Sequence, residues 1–228
     1  MHVEIWSDIA CPWCYVGKRR FETALASFEH RGEVRVTWRS FELDPNAPAE
    51  RKGDRAAHLA EKYDTTREEA LKMEETMAGV AAGEGLDFRF DRARAGNTFD
   101  AHRLVHHAAQ HDLQDAMKER LLRAYLGQGE LMSDREALAR LASEVGLSAE
   151  EAREVLAGDR YAAEVREDER VAVSLGITAV PFFVVDRSLG AAGAQAPEVL
   201  RGLLDQGWAR RSPVPVVAQG DSCTTDGC

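Results

Sequence analysis

Cys11 and Cys14 stand two residues apart in the stretch SDIACPWCYVGKRRFE, residues 7 to 22. Thiols at that spacing can cycle between dithiol and disulfide, or supply half of a tetrahedral zinc site. The flanking residues weigh the two readings. VEIWS, residues 3 to 7, alternates apolar and polar side chains and predicts a strand running into the pair. From Pro12 onward, Tyr15, Val16, Phe21, Ala24, Leu25 and Phe28 recur near a helical period, with Gly32 as a stop signal. Proline suits a first helical residue, because an N–H there would have no partner anyway. Cys11 is then the N-cap, facing the free amides of Trp13 and Cys14 at the positive end of the helix dipole, an arrangement that favours its thiolate. This predicts Cys11 as the nucleophile and Cys14, one turn further in, as the thiol that resolves a mixed disulfide. Zinc-binding cysteines usually sit in short knuckles rather than at the head of an amphipathic helix, so redox chemistry is the stronger reading.

Cys223 and Cys228 form a second pair, C-x4-C with Gly227 between them. So short a loop can close into a strained or exposed disulfide that is readily reduced. It is expected to act as a second redox pair that exchanges with the first or guards it. The alternatives are incidental tail thiols, or the other two ligands of a four-cysteine zinc site. His102, His106, His107 and His111 contain two i,i+4 pairs, a spacing that could hold a metal on one helical face. No carboxylate in an HExxH-like arrangement accompanies them. Ordinary packing and solvent exposure are therefore expected, with no metal and no cofactor.

The elements that must position these residues follow from the rest of the chain. VRVTW, residues 34 to 38, alternates again, so the start reads strand, helix, strand, a unit that favours parallel pairing with a helical crossover. DPNAP, residues 44 to 48, breaks the pattern, and the chain then reads as helix after helix to about Leu175. Helix starts are marked by Thr66 with Glu69, Ser133 with Glu136 and Ser148 with Glu151, and another is expected at Asn97. Strand character returns in VPFFVVD, residues 180 to 186, followed by a turn at RSLG, a short AAG segment and a helix opened by Pro197.

The 228 residues can bury a real core without disulfide staples. A net charge of −10, from 39 acidic and 29 basic residues, argues against nucleic acid as a partner. No apolar run approaches the roughly 20 residues that span a bilayer, and the N-terminus lacks the basic start and apolar stretch of a secretory signal. A cytoplasmic location without membrane association is expected, where four cysteines point to redox chemistry or metal rather than structural bridges.

Four segments taken in order, SDIACPWCYVGKRRFE, GNTFDAHRL (96 to 104), VPFF (180 to 183) and GAQAPEVL (193 to 200), resemble the FrnE-type branch of the DsbA family of disulfide oxidoreductases. The resemblance implies an α/β, thioredoxin-like fold with a long all-helical insertion. Residues 1–48 and 176–210 would form the discontinuous thioredoxin-like domain, 49–175 the helical insertion and 211–228 the tail. It further implies that Pro181 is a cis-proline beside the redox pair, leaving the backbone of Val180 open to an extended substrate peptide. Asn97 and His102, in NTFDAH, would lie near the cleft, and Pro12 and Trp13 would meet the substrate. Trp13 stands where periplasmic DsbA carries histidine, so a less oxidising pair is expected.

The implied function is thiol–disulfide exchange or isomerisation on protein disulfides, with glutathione or thioredoxin as electron donor and an undetermined oligomeric state. The alternative is a glutathione-dependent isomerase or transferase similar to 2-hydroxychromene-2-carboxylate isomerase or the kappa-type glutathione transferases. Those usually carry serine at the nucleophile position, and the intact CPWC counts against them.

Overall fold

The computed structural model describes residues 1–211. Its sheet contains β1 (His2–Ser7), β2 (Arg35–Ser40), β3 (Phe182–Val185) and β4 (Leu189–Ala192), in the order β2-β1-β3-β4. β1 and β2 run parallel, with Val3 opposite Val36 and Ile5 opposite Trp38, and helix α1 (Pro12–Ala26) makes the crossover between them. β3 is antiparallel to β1, placing Phe183 opposite Ile5, and β4 is antiparallel to β3.

Alternation along β1 sorts its side chains between two layers. Val3 and Ile5 cluster with Phe183, Phe21 of α1, and Leu200 and Leu204 of α9 (Pro197–Ala209). Trp6 packs instead with Val184, Ile177 and Ala172 of α8 (Ala162–Ser174), and its indole N–H donates to the Asp168 carbonyl at 2.9 Å. Glu4, on the Trp6 side, accepts from Arg39 and Arg187.

Between β2 and α8 lie α2 (Arg55–Tyr63), α3 (Arg67–Gly83), α4 (Phe99–Ala109), α5 (Gln114–Arg123), α6 (Arg135–Glu144) and α7 (Ala149–Ala157). Leu104 of α4, Met117 and Leu121 of α5, Leu141 of α6 and Leu156 of α7 belong to the same apolar cluster as Val3 and Ile5. The inserted helices thus share a core with the sheet. α5 also closes the open edge of β2: the Gln114 side-chain amide accepts from the Trp38 N–H and donates to the Trp38 carbonyl, both at 3.0 Å.

Element boundaries differ from the sequence reading at several points. α1 stops at Ala26 with Ser27 as its cap, and Gly32 lies in a separate short turn, Arg31–Glu33. β2 begins at Arg35 rather than Val34. α4 begins after Thr98, one residue beyond the expected start at Asn97. Asp134, not Ser133, caps α6, because its carboxylate accepts from the N–H groups of both Glu136 and Ala137. Thr66 and Glu69 cap α3 reciprocally, and Ser148 accepts from the Glu151 N–H at the start of α7.

Candidate active site

The chain leaves β1 at Ser7 and reaches Cys11, the N-cap of α1, with Pro12 in the first turn of that helix. Cys11 and Cys14 are both unbridged thiols. Cys11 is 4% exposed and Cys14 0%, so an incoming sulfur can reach only the outer one. Trp13, between them, is 45% exposed and outside the apolar core. Across from the pair, the Val180–Pro181 peptide bond is cis. Cys11 Sγ lies 3.7 Å from the Val180 carbonyl oxygen, and Val180 itself lies before β3, half-buried.

The close approach of helix and loop depends on Gly17. A methyl group built on its Cα would meet Pro181 Cγ at 2.8 Å and Pro181 Cβ at 3.4 Å. A glycine in a helix interior costs about 1 kcal/mol relative to alanine. Here it lets the backbone of α1 lie directly against Pro181.

The charge on the thiol pair is arranged differently from the sequence expectation. The Cys11 side chain makes no cap hydrogen bond to the helix amides, because its sulfur is turned toward Val180. A hydrogen bond to Cys14, together with burial, holds the Cys11 proton well above the ordinary thiol range. For Cys14, burial opposes ionisation but is outweighed by the hydrogen bond from the Cys11 thiol and by the Lys118 ammonium, and its proton affinity is lowered. Proton affinity is thus raised on the outer thiol and lowered on the inner one.

Lys118 is the functional candidate that sequence reading missed. It sits on α5, 1% exposed, and its Nζ donates to the Ser7 carbonyl at 3.0 Å. Burial lowers its pKa to about 8 against the opposing charges of Cys14 and Asp8. Asp8, beside it, is also buried. Its carboxylate accepts from Thr98 Oγ1 at 2.9 Å and from the Leu43 N–H at 2.8 Å, and it lies 3.3 Å from His102 Nε2. Burial would raise the Asp8 pKa, yet these donors and the Lys118 charge bring it below the usual carboxylate value. His102 has its own pKa lowered by burial.

Of the remaining expected site residues, His102 is thus placed against Asp8, whose charge and that of Lys118 bear on the thiol pair. Asn97 is half-buried; its Oδ1 accepts from the Phe99 N–H at 2.9 Å, and its Nδ2 is 3.4 Å from Glu42 Oε1. It therefore supports the start of α4. Pro12 is half-buried beside Trp13. Cys223 and Cys228, the expected second pair, lie outside the described residues.

A family model described as a DSBA-like thioredoxin domain matches residues 2–205. The chain belongs to the DsbA-like thioredoxin domain family. Among solved DsbA-like structures, the probable DsbA oxidoreductase of Streptomyces coelicolor is 46% identical, with a TM-score of 0.92 over 100% of this chain and 98% of that one. The cytosolic disulfide reductase DsbM of Pseudomonas aeruginosa, also solved with GSH, is more distant. Its first structure is 18% identical, with a TM-score of 0.64 over 92% of this chain and 99% of its own. A curated relative, uncharacterized protein YwbO of Bacillus subtilis (strain 168), is 26% identical over 197 residues, 85% of this chain and 92% of that protein. The expected fold, a thioredoxin-like sheet with a helical insertion, holds for this DsbA-like chain, and with it an oxidoreductase of the disulfide class. Among the described residues no helix is long and apolar enough to cross a membrane.

Proposed function

We propose that the chain is a cytoplasmic oxidoreductase of the FrnE type that exchanges disulfides with protein substrates through Cys11 and Cys14. The observation that carries this reading is the placement of Cys11 Sγ against the Val180 carbonyl, next to a half-buried backbone segment and an exposed Trp13. An extended peptide can pair with that backbone while its sulfur meets Cys11.

In the reductive direction, Cys11 gives up its proton and its thiolate attacks one sulfur of a substrate disulfide. The substrate S–S bond breaks, a mixed disulfide forms, and the first substrate thiolate leaves and takes up a proton. Cys14 then gives up its proton, attacks the Cys11 sulfur and expels the second substrate thiolate, which is protonated in turn. The Cys11–Cys14 disulfide that remains has delivered two electrons. Two glutathione molecules, or a dithiol protein such as thioredoxin, return them. Lys118 favours the charged form of Cys14 in the resolving step, and the Ser7 carbonyl holds Lys118 in place.

Insulin disulfide reduction and refolding of a scrambled protein test the reading. Cys11→Ser abolishes both activities. Cys14→Ser accumulates a mixed disulfide that mass spectrometry detects, and Cys223→Ser tests whether the tail pair takes part. Activity that survives Cys11→Ser would refute the proposal. Glutathione-dependent isomerisation of a chromene carboxylate that outpaces insulin reduction would replace it with the isomerase reading.

A further inference from the structure

His107 lies in the last turn of α4 and His111 in the turn that follows its cap Gln110, and α7 packs across α4 with Glu151 in its first turn. One ring nitrogen of each histidine and a carboxylate oxygen of Glu151 lie within 4.8 Å of one another. The two imidazoles meet edge to face with centroids 4.9 Å apart. His107 is 2% exposed, and its Nε2 has no hydrogen-bond partner among the described residues. A buried ring nitrogen left unpaired in this way is costly and calls for an explanation. Its other nitrogen is held from behind: Nδ1 lies 3.5 Å from the hydroxyl of Tyr161, which also receives a hydrogen bond from Arg160 at 3.4 Å. With the proton on Nδ1 and directed at the Tyr161 oxygen, Nε2 keeps its lone pair facing away from that contact.

We propose that His107, His111 and Glu151 form a binding site for a divalent first-row transition ion, zinc foremost, outside the thiol pair. Two imidazoles and a carboxylate suit zinc in donor type, and three protein ligands leave a fourth position for water. The tyrosine behind His107 supplies the outer hydrogen bond that metal-bound histidines usually have. His111 and Glu151 are exposed side chains on separate elements, free to close the remaining distance. A bound ion would tie the end of α4 to the N-terminal turn of α7, whereas the Arg103 guanidinium of α4 holds the opposite end of α7 through the Val155 and Gly158 carbonyls.

The full-length chain with serine at all four cysteine positions, which removes competing thiolates, is titrated with zinc by calorimetry. One ion per chain is expected, with affinity falling at least about tenfold in His111→Ala and in Glu151→Gln. Neither exposed substitution should disturb folding, as circular dichroism will check. Cobalt(II) gives a second readout that keeps the native cysteines. Glu151→Gln should remove the visible d–d bands of the histidine–carboxylate site and leave thiolate charge-transfer absorption unchanged. Zinc should also raise the melting temperature of the serine chain but not of the two variants. Absence of zinc uptake, or uptake that neither substitution weakens, would overturn the proposal.

Discussion

At the residue scale, the thiol pair depends on a cation that arrives from the insertion. Lys118→Met removes the ammonium facing Cys14 and should raise the apparent pKa of the pair by about one unit, read from the pH dependence of iodoacetamide alkylation. The same change removes a buried charge, so the melting temperature should stay level or rise while the rate of insulin reduction falls. His102 has an opposite relation to pH. Because its folded pKa lies below 6.5, the unfolded chain takes up a proton in acid before the folded chain does. Stability therefore falls as pH drops below about 6.5, by at most about 1.4 kcal/mol per pH unit, until the folded value is passed. In His102→Gln that slope should flatten in urea unfolding curves measured across the window. Cys11, Cys14 and the proline between them were legible from spacing alone. Lys118 was not, because a lysine within QDAMKERLLR reads as a solvent-facing helical position and only the packing of α5 against the end of β1 reveals its burial.

At the scale of elements, the strand–helix–strand start was readable from periodicity, and the parallel β1–β2 pair follows from the crossover that α1 provides. The end of α1 was not. Gly32 signals a stop, but the chain has already turned at Ser27, so that Phe28 is buried and stacks edge-on against Trp208 of α9. Tertiary packing overrides the local signal there. The candidate metal site shows a second limit. Its two histidines were visible as an i,i+4 pair, whereas the carboxylate that completes them comes from α7, and no local motif announces it. Gly17 is where element geometry and chemistry meet most directly. Gly17→Ala should lower stability by about 1–3 kcal/mol through crowding against Pro181. It should slow insulin reduction as well, since relief of the contact moves α1 away from Val180; thermal melting and steady-state rates on one preparation would show whether the two effects travel together.

At the scale of the whole molecule, one apolar cluster runs from Val3 and Ile5 through Leu104 and Leu121 to Leu141 and Leu156. Sheet and insertion should unfold together, so urea transitions followed by far-UV circular dichroism and by tryptophan fluorescence should coincide; two separated midpoints would show that the layers melt independently. The long helical stretch was evident in the sequence, yet its shared core with the sheet was not, because helical periodicity shows which face is apolar and not what covers it.

The pairing of β1 with β3 joins residues at opposite ends of the chain. During synthesis, Cys11 and Cys14 emerge on the nascent polypeptide long before α5 and Val180 are translated. Until those later parts dock, the sulfurs are accessible, ordinary thiols open to any oxidant they meet. Reactivity directed by Lys118 and Val180 is therefore a late product of translation, and ribosome-bound chains stalled before residue 176 should label with maleimide far faster than released protein.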